Sequence, residues 1–282
     1  MKCSKTTNRL ISVNHPLPLT SQQSTEIRFI LSIFASLFLL IPYCYIPAAF
    51  CVFLVKERIT KSKHLQLVSG VDMTAYWISS YIWDLFLWGI LTILIMCIFI
   101  MYGNETAQVF VGSVEIFFCT AALTFGYGLS GLPFAYLFSR FFNNYSSAQI
   151  SIMAIFFLTG FVAVNAYFIL DSLENTKYLA RRMRPLFLMW PPFNVGEGLI
   201  GLSRNFFERE VLRQTKSPFS WKVCGRSLAF LYGLSVPYFS LLLILECSND
   251  GGSGGSFGRL LRWLRDFMSR LQLQLQGVKY DK

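Results

Sequence analysis

The sequence predicts an all-α integral membrane fold: a bundle of about five transmembrane helices, a re-entrant hairpin and a C-terminal amphipathic helix. Three observations predict it. Of the 282 residues 54% are hydrophobic and only 14% are charged, where a soluble domain carries about 25% charged residues. The charges are gathered into a few loops and leave long uncharged runs between them, as membrane spans and their connections require. Near the C-terminus, apolar residues instead recur at helical spacing among arginines, the mark of an amphipathic helix.

Residues 1–28 form a polar N-terminal segment, and the apolar run after them is too long for the core of a cleavable signal peptide. The first span is 29–55. As a helix it would run to roughly 40 Å, against roughly 30 Å of hydrocarbon. Pro42 and Pro47 are expected to kink it, which a membrane tolerates where neighbouring helices satisfy the freed carbonyls. A charged block, 56–72, separates it from a second span at 73–102, with Trp77, Trp83 and Trp88 in its first half. A short polar turn leads to the third span, 109–138, and a second to the fourth, 146–170. The last span is 227–245, closing a membrane domain of 29–247.

Residues 186–202 are apolar but carry Pro191, Pro192, Gly196 and Gly198. The run is at the short limit for a crossing, and its prolines and glycines interrupt it, so a re-entrant hairpin is expected there. Beyond the last span come a Gly/Ser linker, 248–258, and a basic amphipathic tail, 259–282. The tail suits either the headgroup plane of a membrane or the surface of a partner domain.

Lys56, Arg58, Lys61 and Lys63 crowd the first loop, whereas Glu105 is the charge of the second, which puts the first loop in the cytoplasm. The 171–226 connection is then external despite its basic residues, because long loops translocate largely regardless of charge. The net charge of +10, without a basic soluble module, points to anionic lipid headgroups and not to nucleic acid.

Little chemistry is legible. Cys44, Cys51, Cys97 and Cys119 sit inside apolar runs as small hydrophobes, and Cys3, Cys224 and Cys247 have no metal-ligand spacing. His15 and His64 are the two histidines. Neither a metal site nor a catalytic residue is expected, and Gly-x-x-x-x-Gly-Lys-Ser/Thr occurs nowhere in the sequence. Asp84 lies roughly 16 Å along the second span. A charge there costs about 2.5–3.5 kcal/mol, so it must face the bundle interior or water. It reads either as a substrate-path or gating contact or as a hydrogen bond to a neighbouring helix. Glu115, near the start of its span, is expected to reach the external interface.

Ordered motifs run through the chain: Lys56-Glu57-Arg58, His64-Leu65-Gln66, Val68-Ser69-Gly70, Tyr76-Trp77, Trp83-Asp84, then GLPFAYLFS at 131–139 and PPFNVGEGLIGL at 191–202. Together they resemble the membrane domain of subfamily A ABC transporters, large lipid exporters of the ABC-2 type. Asn194 and Val195 depart from that family's pattern. The resemblance implies the last five spans of one membrane half, the second of two, and ATP-driven lipid movement by the complete protein. It implies that Lys56, Glu57, Arg58, Lys61, Lys63, His64 and Gln66, with Arg140 at a weaker second contact, couple the bundle to an ATPase domain. Glu57, Arg58 and the nearby lysines would meet opposite charges there. It implies partners: ATPase domains that hold ATP and magnesium, a second membrane half, and a lipid substrate. No cofactor is expected in this chain itself, nor enzymatic activity by itself. The alternative is a truncated or regulatory membrane scaffold that does not transport.

Overall fold

A computed structural model describes residues 21–102, 108–212 and 216–249, and every regular element among them is helical. In chain order these are α1 (Ser21–Ile59), α2 (Ser62–Val68), α3 (Met73–Tyr102), the single turn α4 (Gln108–Val111), α5 (Val114–Ser139) and α6 (Tyr145–Phe157). A π-helical turn, Leu158–Val162, joins α6 to α7 (Ala163–Ser172). Then come α8 (Lys177–Leu188), α9 (Pro191–Leu212), a second π-helical turn (Trp221–Gly225) and α10 (Arg226–Asn249). Among the described residues five stretches are long and apolar enough to cross a membrane: Ile33–Ile59, Met73–Met101, Val114–Ser139, Tyr145–Asp171 and Trp221–Glu246. Helix is the form such runs must take, because hydrocarbon offers their backbone no other hydrogen-bond partner.

Boundaries shift from expectation where local chemistry decides them. Helix α1 begins at Ser21, inside the predicted polar segment. The third span starts at Val114 and not at 109, because Ser113 caps it, its hydroxyl oxygen accepting from the Ile116 N–H at 3.3 Å. Helix α10 continues into the predicted linker. The rest of that linker, the amphipathic tail and residues 1–20 lie outside the described residues.

Helix α5 is the centre of the bundle, packed on α1, α3, α9 and α10. Its most apolar stretch is 67% buried, against 17% for that of α3 and 11% for that of the last span. The exposed side chains of α3, among them Ile82, Phe86, Ile93 and Ile98, suit lipid. Inside, Tyr43, Trp88 and Tyr127 form an aromatic cluster between α1, α3 and α5, with ring centroids 5.5–6.4 Å apart.

Residues 177–212 fold as a helical hairpin, α8 and α9, turning at Met189 and Trp190. Both arms open at the bundle end that holds the close of α7 and the start of α10. There, Cys119 near the start of α5 contacts the Pro218 carbonyl. The turn lies deep: Tyr238 of α10 donates its hydroxyl to the Met189 carbonyl, and Trp190 packs edge-on to Phe134, far along α5, at 5.4 Å. The interruption is narrower than the sequence suggests. Pro191 and Pro192 begin α9, where a missing N–H is harmless. Gly196 and Gly198 do not break the helix but allow close packing. A Cβ at 196 would lie 2.7 Å from Val164 Cγ2, and one at 198 would lie 2.6 Å from Leu123 Cδ1.

Candidate functional site

At the opposite end of the bundle, α1 finishes with Lys56, Glu57 and Arg58. Lys61 takes a left-handed conformation (φ 58°), the turn that separates α1 from α2. The charged side chains then fasten the loop. Arg58 donates to the Ser139 carbonyl at 2.9 Å and to the Phe142 carbonyl. A cation thereby meets carbonyls around the C-terminus of α5, where the helix dipole favours positive charge. The Tyr76 hydroxyl donates to Glu57 Oε2 at 2.6 Å, tying α1 to α3.

Glu246, near the end of α10, completes the cluster. Lys63 pairs with its Oε2, and Arg140 Nε with its Oε1 at 3.0 Å. Arg140 also donates to the Leu245 carbonyl at 3.3 Å. The Lys63 ammonium lies over the rings of Trp77 (4.7 Å) and Tyr76 (5.2 Å), a favourable cation–π placement. The side chains of Glu246, Lys63 and Arg140 are only 11%, 14% and 16% exposed, so these are not loose surface pairs. At the start of α3, the Asp72 carboxylate accepts from the Thr74 hydroxyl and N–H, which holds that carboxyl below its ordinary range.

The predicted coupling residues therefore divide into two sets. Glu57, Arg58, Lys63 and Arg140 bond within the chain. Lys56, Lys61 and His64 are exposed, and Gln66 is half-buried. Helix α2 buries none of its residues, and Leu65 and Val68 stand 67% and 71% exposed.

Asp84 accepts from the hydroxyl of Tyr136 on α5, the interhelical bond that was one of its two expected readings. Glu115 is exposed in the first turn of α5. A buried carboxylate that sequence reasoning missed is Glu197 on α9. It gathers Arg184 Nε of α8 at 3.0 Å, Arg226 of α10 at 3.1 Å and the Ser227 hydroxyl at 3.3 Å. Glu197 and Glu246 each stand as an isolated acid in or at the edge of an apolar run (NVGEGLI and LILECS), which is the signal the sequence offers for them. Among the described residues no group of three or more His, Cys, Asp or Glu could hold a metal ion.

The pattern of the ABC-2 family transporter proteins matches residues 4–244. The chain belongs to the ABC-2 transporter family. This ABC-2 domain is an integral membrane protein, and its relatives lie in sub-family A. It is 31% identical to ATP-binding cassette sub-family A member 7 of Rattus norvegicus over 250 residues, covering 85% of this chain and 11% of the relative. It is 30% identical to the phospholipid-transporting ATPase ABCA7 of Homo sapiens (84% and 11% covered). To the retinal-specific phospholipid-transporting ATPase ABCA4 of Bos taurus it is 29% identical (83% and 11% covered). The chain thus spans about a tenth of the length of the curated relatives it matches.

Proposed function

We propose that this ABC-2 domain moves lipid across a membrane when ATPase domains and a second membrane half act with it. The observation that carries the reading is the contrast within residues 56–72. Three charged side chains, Glu57, Arg58 and Lys63, pin the loop to α3, α5, the turn after α5, and α10, while α2 presents unburied apolar residues at the surface. A merely solvated loop needs no such bracing, whereas a docking helix does: displacement of α2 would then shift the spans it is bonded to. Sub-family A relatives named as phospholipid-transporting ATPases support the substrate class. Binding of ATP and magnesium, and hydrolysis, belong in this reading to the partner domains. The hairpin α8–α9 re-enters the membrane and braces the bundle at the end where lipid enters or leaves.

The test uses a protein in which this domain is joined to its ATPase domains. Leu65→Ser with Val68→Ser should abolish lipid-stimulated ATP hydrolysis while ATP binding and membrane insertion persist. Unchanged stimulation would remove the docking role. Docking without lipid movement would support the scaffold alternative instead.

A further inference from the structure

Helix α8 has two faces with different fates. Ala180 and Leu188 are buried and Phe187 is half-buried against the bundle. Arg184 belongs to this inner side, paired with Glu197 and set over the Tyr167 ring at 5.4 Å. The outer side carries Lys177, Arg181 and Arg182, all exposed, beside Tyr178 (73% exposed) and Leu186 (53%). Arg182 reaches the Tyr178 hydroxyl at 3.5 Å. Among the described residues no carboxylate pairs with these three cations, although Asp171 and Glu174 precede them in the chain.

We propose that this outer face of α8 binds the headgroup phosphate of a phospholipid in the leaflet at the hairpin end of the bundle. The proposal rests on the re-entrant placement of the hairpin, and it deepens the lipid-transport reading by locating a headgroup contact. Depth and chemistry carry it. The preceding membrane-length stretch closes at Asp171, and α8 then runs inward to Met189, packed under Tyr238. Lys177 through Arg182 occupy the first turn and a half of that descent, roughly 8 Å of helix, the zone where headgroups meet acyl chains. Cations there need an anion, and a phosphate oxygen set accepts from guanidinium in the bidentate geometry that suits arginine. Tyr178 and Leu186 give the attached acyl chains an apolar wall, which a free anion would not use.

The experiment titrates the full chain in neutral detergent with phosphatidylglycerol and counts bound lipid by native mass spectrometry. Cations near an anionic surface contribute about fivefold each, so Lys177→Ala with Arg181→Ala and Arg182→Ala should weaken binding about a hundredfold. Arg181→Lys with Arg182→Lys should keep part of the affinity, and Lys222→Ala, an exposed cation of the same end, should keep all of it. Wild-type affinity in the triple variant overturns the proposal. Should the triple variant fail to fold, Arg181→Ala and Arg182→Ala singly carry the test, each with about a fivefold loss expected and no loss overturning it. Displacement of the lipid by millimolar inorganic phosphate would overturn the lipid as occupant. Lipid binding that survives in a protein with no lipid-dependent ATPase activity would sink the transport reading and leave this site standing.

Discussion

The hydroxyl of Tyr127 donates to the backbone oxygen of Tyr43 at 2.7 Å, and that oxygen is the one Pro47 leaves without its helical donor. In an unbroken helix the carbonyl of residue 43 accepts from the N–H of residue 47, which proline lacks. The device recurs. Tyr81 donates to the Leu129 carbonyl at 2.8 Å, four residues before Pro133. In hydrocarbon an unmet carbonyl costs several kcal/mol, so at Pro47 and Pro133 a tyrosine of a neighbouring helix takes the place of the missing donor.

Tyr127→Phe should destabilise the folded bundle by about 1–2 kcal/mol, read as the detergent-induced unfolding midpoint. Pro47→Ala restores the missing N–H, so in the Pro47→Ala background the same tyrosine substitution should cost much less. Equal costs in both backgrounds would show that the hydroxyl does not serve the proline's carbonyl.

Gly128 faces Trp88 so closely that any Cβ would overlap the indole ring, which is fully buried and donates its N–H to the Thr124 carbonyl at 3.0 Å. Gly128→Ala should therefore cost about 1–3 kcal/mol through overpacking. Gly233→Ala is the contrast, since nothing lies within 4 Å of its added carbon. There the better helix propensity of alanine should leave stability unchanged or raise it by up to about 1 kcal/mol. Similar losses at both positions would contradict the packing account.

Much of this architecture was legible from hydropathy, because a membrane span must be a long uncharged helix whatever its neighbours do. The fourth crossing and the hairpin prolines could be read for the same reason. Interhelical pairing could not. Glu246 sits just past the predicted end of the last span, and its partners Lys63 and Arg140 lie in two other loops, so no local pattern joins them. Glu197 fails in the same way, its two arginines lying on α8 and α10. The motif at 56–58 marked a charged loop but not the direction of its side chains, which only the turn at Lys61 and the packing of α5 decide.

Positions 61 and 222 lie at opposite ends of the bundle. With the native cysteines replaced, Lys222→Cys should react with a membrane-impermeant maleimide in intact cells, and Lys61→Cys only after permeabilisation. The reverse pattern would invert the orientation taken from the basic first loop. Labelling of both from one side would contradict the arrangement of spans itself.

Glu246→Gln tests whether the ion-pair cluster is what holds α2 in place. The substitution keeps size and one acceptor but removes the charge shared by Lys63 and Arg140, leaving two largely buried cations facing each other without a counter-charge. Removing one partner of a fully buried pair costs about 3–5 kcal/mol. These side chains retain 11–16% exposure, so water will screen part of that, and about 1–3 kcal/mol is expected. Because the bond ties α2 to α10, the loss should appear locally before it appears globally. Backbone amide exchange across 62–68 should quicken about tenfold or more, while exchange in the buried middle of α5 stays near its original rate. Lys63→Met should loosen the same segment, whereas Lys56→Ala, whose side chain is exposed, should not. Unaltered exchange across α2 in Glu246→Gln would mean that its position is set by the backbone turn at Lys61 alone. The cluster would then have no part in transmitting motion from the loop to the last span.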